Sequence, residues 1–197
     1  MQPKADAYGL VLAGGRSRRM GRDKALLRRE DGRTQLEQAV ALLEERLERV
    51  FVSVRADQDD EVRSKYARIV DRYDDMGPAA GILSALETHP DRSWLVLACD
   101  LPNVDGATLD FLLQHRSPAA PATAFRSSHD GLPEPLCAIY TPAARPIVEK
   151  FVADGIVCPR KMLIRSATKL LDQPAPAALD NVNTPQDLAR AGMQVAS

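Results

Sequence analysis

The 197-residue chain has no excess of either charge: 26 lysines and arginines stand against 27 aspartates and glutamates, for a formal net charge of −1. Bulk attraction to a polyanion is therefore excluded, and any anion site has to be built by local clustering. Aromatic residues make up only 5% of the chain. No stacking platform is visible, which argues against nucleic acid as a partner. The three cysteines, Cys99, Cys137 and Cys158, form no CxxC pair. That odd, dispersed set argues against a disulfide framework and a structural zinc site, and reduced thiols fit the cytoplasm. Residues 1 to 7, MQPKADA, carry no apolar signal core, and no apolar run approaches the ~18 residues of a membrane span. A cytoplasmic protein with no membrane partner is the expectation.

What is present is an ordinary globular balance, 45% hydrophobic and 27% charged, enough for one core and one domain over 1–197. YGLVLA (8–13) reads as a strand buried on both faces, ending at glycine. TQLEQAVALLEERLERV (34–50) has helical apolar spacing, and 50–54 reads as a second strand. A short helix over 60–66, a strand over 67–71, a helix over 77–89 and a strand over 93–100 follow. This alternation predicts an α/β fold: a mostly parallel, Rossmann-like sheet with helices on both faces. After residue 116 the texture turns Pro/Ala-rich, with strands expected near 122–126, 136–140 and 167–172 and helices over 142–155 and 184–192. Residues 1–116 and 117–197 thus read as two halves of one domain.

In such sheets ligands bind beyond the carboxyl ends of the strands. Gly14-Gly15, Asp71 and Asp100 all fall there. After the glycines come five basic residues in nine, Arg16, Arg18, Arg19, Arg22 and Lys24. Glycine amides that approach closely and form a nest, flanked by cations, suit a phosphate chain. The spacing is neither a Walker A loop nor GxGxxG.

LAGGRSRRMGRDKALL (12–27) resembles the signature loop of sugar-nucleotide-type nucleotidyltransferases, most of all the molybdenum cofactor guanylyltransferases. MGPAAGILSAL (76–86), LACDLP (97–102) and NVNTPQDL (181–188) are similar to three further motifs of that family, in the same order. The resemblance implies the nucleotide-diphospho-sugar transferase type of sheet. It also implies transfer of GMP from GTP to the phosphate of molybdopterin or molybdenum cofactor, releasing pyrophosphate, with Mg²⁺ (or Mn²⁺) as cofactor. Proteins of molybdenum cofactor biosynthesis, or its acceptor proteins, would be further partners.

By the same resemblance Leu12, Ala13, Gly14, Gly15, Lys24, Asp71, Gly81 and Asp100 contact the nucleotide, with Gly77 beside Gly81. Asp100 is the expected metal ligand, with Asn183, or alternatively Asn181, as second oxygen donor; Mg²⁺ takes one or two carboxylates plus phosphate oxygens and waters. Lys24, Asp100 and Arg19 are the expected catalytic residues, with Arg16 as a further contact to the leaving phosphates. A phosphate nucleophile is already ionised near neutral pH, so alignment and charge neutralisation replace a strong base. That agrees with His89, His115 and His129 lying outside all four motifs, as surface residues. Two departures stand out. Ser53 and Arg55 occupy a region where family members commonly have Asn-Arg, and Glu134 precedes Pro135 where His or Gln is frequent, with Arg160 and Lys161 available to offset the acid. The alternatives are a cytidylyltransferase of the same cofactor, whose members usually read LAAG rather than LAGG, a nucleotidyltransferase with another phosphorylated acceptor, and a nucleotide-binding regulatory protein without turnover.

Overall fold

Leu10 and Val11 in strand β1 (Ala5–Leu12) are both fully buried although they point to opposite faces, as a strand covered on both sides requires. The computed structural model describes residues 4–14, 23–175 and 177–180, and the backbone of 193–194. β1 pairs in parallel with β3 (Leu47–Val54) and β5 (Trp94–Ala98), and β3 pairs in parallel with β4 (Arg68–Val70). β7 (Pro133–Tyr140) runs antiparallel between β5 and β6 (Ala122–Arg126), and β8 (Lys169–Leu171) lies parallel beside β6. The order is β4-β3-β1-β5-β7-β6-β8, so the sheet is mostly parallel. A separate antiparallel pair joins β2 (Arg28–Arg29) to β9 (Met193–Gln194).

Two cores result, one on each face. Helices α1 (Gln35–Glu44) and α3 (Gly106–Gln114) place Leu36, Leu43, Leu109 and Leu112 against Val11, Val52 and Leu97. Helices α2 (Pro78–Thr88), α4 (Ala144–Ala153) and α5 (Pro159–Ile164) place Leu83, Leu86, Val148 and Met162 against Leu10, Trp94 and Val96. Each fully buried aliphatic side chain contributes about 1.5–3 kcal/mol relative to exposure. α1 starts at a reciprocal cap: the Glu37 amide donates to Thr34 Oγ1 at 3.1 Å, and the Thr34 amide donates to Glu37 Oε2 at 2.8 Å. Among the described residues no helix is long and apolar enough to cross a membrane.

Several boundaries differ from the sequence expectation. The helix expected over 34–50 ends at Glu44, because Leu47 has already entered β3 opposite Ala5. Leu43 and Leu47 sit four apart, as a helix face would place them, and both are buried, so periodicity alone runs through the join. The short helix over 60–66 is a 3-10 turn, Arg63–Lys65. Helices α3 and α5 were not expected. β7 carries two prolines although it is a central strand: Pro133 is its first residue, and the register with β6 jumps from Ala138 to Glu134, leaving Pro135 and Leu136 outside either ladder, both places where proline is tolerated. The expected helix over 184–192 lies outside the described residues.

Candidate active site

Leu12 stands in register with Ser53 on one side and Ala98 on the other, so β1, β3 and β5 end at one level. Beyond that edge opens a cleft of about 220 Å³. Its walls are Leu12 and Ala13 at the end of β1, Ala98 to Asp100 at the end of β5, Asp23 to Ala25, the start of α2 at its cap Gly77 and Pro78, and Leu136 from the bulged start of β7. Gly77 has φ +56, a conformation favouring glycine, and starts α2 with its amino end toward the cleft, the positive end of the helix dipole.

Lys24 opens a 3-10 turn, Lys24–Leu26, whose cap is Asp23: Asp23 Oδ1 accepts from the Ala25 amide at 3.0 Å. Ala25 is buried in the core under α1, which seats the turn. Lys24 Nζ then lies 3.7 Å from Asp100 Oδ2, with side chains 20% and 29% exposed, open to a ligand yet partly shielded from water. Burial raises the Asp100 carboxyl above the usual carboxylate range, and the Lys24 ammonium pulls it back down. Cys99, next to it, is buried and its thiol is pushed up, so it acts as wall.

A second cluster stands at the ends of β3 and β4. Burial pushes the Asp71 carboxyl up to about 6, opposed by the Ser53 hydroxyl, which donates to Oδ1 at 2.7 Å, and by the charge of Arg55. Arg55 also donates to the Gly14 carbonyl. A Cβ at Gly14 would lie 3.2 Å from Asp71 Oδ2, so the glycine permits this close approach. Gly81 stands one layer behind, where α2 lies directly on the sheet: a Cβ there would meet Ser53 Oγ and lie 2.9 Å from Leu12 Cδ2.

The structure thus brings Leu12, Ala13, Lys24 and Asp100 together in the cleft, with Gly14 and Asp71 beside it and Gly81 supporting them. Gly15, Arg16, Arg19, Asn181 and Asn183 lie outside the described residues. Among the described residues no three His, Cys, Asp or Glu side chains converge as a metal centre. Asp100 still presents one carboxylate to the cleft, a donor that suits Mg²⁺ because that ion completes its shell with phosphate oxygens and water. Glu134 is compensated: Arg160 donates to it at 2.8 Å and to Asp130 at 3.0 Å. That pair lines a smaller recess of about 120 Å³, which shares Leu136 with the main cleft.

Two histidines keep to the exposed surface as expected, His115 stacking on Phe111 and His129 bonding Asp180 at 2.9 Å. His89 instead packs, half-buried, among the rings of Tyr8, Phe51 and Trp94. Arg63 was missed. It is 1% exposed and donates to Asp23 and to the Ala13 carbonyl. In DEVRSK it reads as a solvated charge, and no local signal marks it as buried.

The sequence matches the family described as the MobA-like NTP transferase domain over residues 9–173. A molybdenum cofactor biosynthesis bifunctional protein of Synechocystis sp. is 36% identical over 181 residues, covering 91% of this chain and 52% of the relative, so the chain spans about half of that protein. A molybdenum cofactor guanylyltransferase of Pseudomonas paraeruginosa is 32% identical over 189 residues, 92% of each. The crystal structure of molybdopterin-guanine dinucleotide biosynthesis protein A from Archaeoglobus fulgidus matches with a TM-score of 0.78 at 26% identity, covering 94% of this chain and 96% of that one. Sequence and overall fold agree on one assignment: the chain belongs to the MobA-like NTP transferase family.

Proposed function

We propose that the chain transfers GMP from GTP to the phosphate of molybdopterin or molybdenum cofactor and releases pyrophosphate, with Mg²⁺ (or Mn²⁺) as its divalent ion, in the cytoplasm. The observation that carries this reading is the Lys24–Asp100 pair, a cation and a carboxylate 3.7 Å apart at the carboxyl edge of β1 and β5. The guanylyltransferase named among its relatives supports the choice of nucleotide.

An oxygen of the acceptor phosphate attacks the α-phosphorus. The bond from that phosphorus to the bridging oxygen of the β-phosphate breaks, and its electron pair leaves with pyrophosphate. No proton has to be removed from an ionised phosphate, so the absence of histidine from the described cleft walls is no obstacle. The Lys24 ammonium binds the phosphate chain and offsets charge that builds on the leaving group. Asp100 would hold Mg²⁺, which when bound supplies positive charge and orients phosphate oxygens. The Asp71 cluster takes the nucleoside end, and Gly14 leaves Asp71 room that an alanine there would narrow. Proteins that deliver or receive the cofactor are the expected macromolecular partners.

The test is pyrophosphate release with GTP, CTP and ATP, with and without molybdopterin, in the presence and absence of Mg²⁺. Release with GTP that needs both acceptor and metal supports the proposal. Release with CTP alone assigns the cytidylyltransferase reaction instead, and GTP binding without release assigns a regulatory nucleotide-binding role.

A further inference from the structure

Arg63 lies outside all four motifs, yet its guanidinium touches both residues that flank the glycine-basic stretch. Nη2 donates to the Ala13 carbonyl at 2.8 Å and to Asp23 Oδ2 at 2.7 Å, while Nη1 donates to Asp60. Asp60 also fixes the backbone under the arginine, accepting from the amides of Val62 and Arg63 at 3.1 and 3.0 Å.

Each contact has a consequence on the cleft side. Peptides here are trans, so the carbonyl oxygen of Ala13 and the N–H of Gly14 point in opposite directions across one plane. Holding that oxygen with Arg63, aided by Gln58 Nε2 at 3.4 Å, therefore sets the direction of the Gly14 amide. On the other side, one oxygen of Asp23 is held by Arg63 and the other caps the turn at Ala25. The turn in between carries Lys24 to within 3.7 Å of Asp100. A single planar group thus fixes a backbone donor and a cation that belong to two different segments.

This arrangement is costly. The arginine is 1% exposed, and its Nε has no hydrogen-bond partner among the described residues. A buried charge with an unsatisfied N–H is a poor device for stability alone, since an apolar side chain of similar volume often does as well.

We propose that Arg63 is a positioning residue for nucleotide binding, presetting the Ala13–Gly14 peptide and the Lys24 turn to receive a triphosphate. This rests on the proposed nucleotidyl transfer at the same cleft. It touches no reacting atom itself.

Arg63→Lys keeps the charge and loses the planar fork. The expected result is a folded protein with one GTP site per chain by calorimetry, about tenfold weaker GTP binding and a KM for GTP raised to match. Asp23→Asn, which keeps an acceptor for the Ala25 amide and drops the charge Arg63 holds, is expected to weaken GTP binding too, by no more than Arg63→Lys does, since the Ala13 contact stays. The double variant is expected to bind GTP no worse than Arg63→Lys alone, because that variant already breaks the link to Asp23. A melting temperature lowered by Arg63→Lys while GTP affinity and KM stay at wild-type values would overturn the proposal, as would losses that multiply in the double variant. If Arg63→Lys fails to fold, Asp23→Asn decides alone: unchanged GTP affinity overturns the proposal. Wild-type protein that binds no nucleoside triphosphate sinks the cleft reading itself, an outcome distinct from wild-type binding that survives Arg63→Lys.

Discussion

Gly81→Ala tests the layer that supports the Ser53–Asp71 cluster beside the cleft. The added methyl would lie 2.9 Å from Leu12 Cδ2 and 3.1 Å from Ser53 Cβ, and would run into Ser53 Oγ. Overpacking of this kind costs about 1–3 kcal/mol. Alanine recovers about 1 kcal/mol over glycine in a helix interior. The net loss of stability is then about 0–2 kcal/mol. The larger consequence is electrostatic. Ser53 Oγ has to swing away, and it is the donor to Asp71 Oδ1 at 2.7 Å. A hydrogen bond to a charged group is worth about 1.5–3 kcal/mol, and about 1.4 kcal/mol is one pH unit. Losing it moves the Asp71 carboxyl further up from about 6, by on the order of one pH unit. The ionised fraction at a given pH falls, so GTP binding should drop more at pH 6 than at pH 8. Urea denaturation gives the stability, and calorimetric titration of GTP between pH 5.5 and 8 gives the profile. Ser53→Ala should reproduce the pH shift without the steric cost. A Gly81→Ala protein stabilised by about 1 kcal/mol, with a wild-type pH profile, would refute the reasoning.

Lys24→Ala and Asp100→Ala should each lower turnover by on the order of 10²–10³-fold, the scale for removing one preorganised charge from a transition state; near-normal pyrophosphate release removes that residue from the mechanism. Asp71→Asn should alter stability with pH in a defined direction. Burial pushes the Asp71 carboxyl up from its ordinary 3.8 to about 6, so the folded state holds its proton more tightly. Wild-type stability therefore falls relative to the variant as pH rises from about 4 to about 6, and the gap is constant above; thermal melts across that range check it, and a gap that opens toward acid contradicts it. Gly14→Ala brings a methyl to 3.2 Å from Asp71 Oδ2 and should lower the GTP/CTP ratio of kcat/KM; an unchanged ratio separates Gly14 from base choice.

The central strands were legible because burial on both faces writes itself as short continuous apolar runs. LVLA before Gly14, and WLVLA before Asp100, announced β1 and β5 and with them the edge where Lys24 and Asp100 meet. α2 was legible from Gly77-Pro78, a helix start with proline in the first turn. α3 was not, although Asp105 caps it by accepting from the Thr108 amide at 2.8 Å, because glycine follows the cap directly and blurs the start. α5 is six residues long, too short to show a period. Long-range pairings left no local trace: Ser53 with Asp71 and Arg55 with Gly14 join residues 18 and 41 positions apart. Arg63 shows the limit most plainly, since a buried arginine in a polar stretch differs from an exposed one only in what the fold brings to it.

The most direct measurement is a crystal structure of the chain with a non-hydrolysable GTP analogue and Mg²⁺. The expected result places the β- and γ-phosphates on Lys24, the metal on Asp100 and the α-phosphate beside the Gly14 amide. A triphosphate seated away from these three residues, or a metal that does not touch Asp100, would contradict the proposed cleft chemistry.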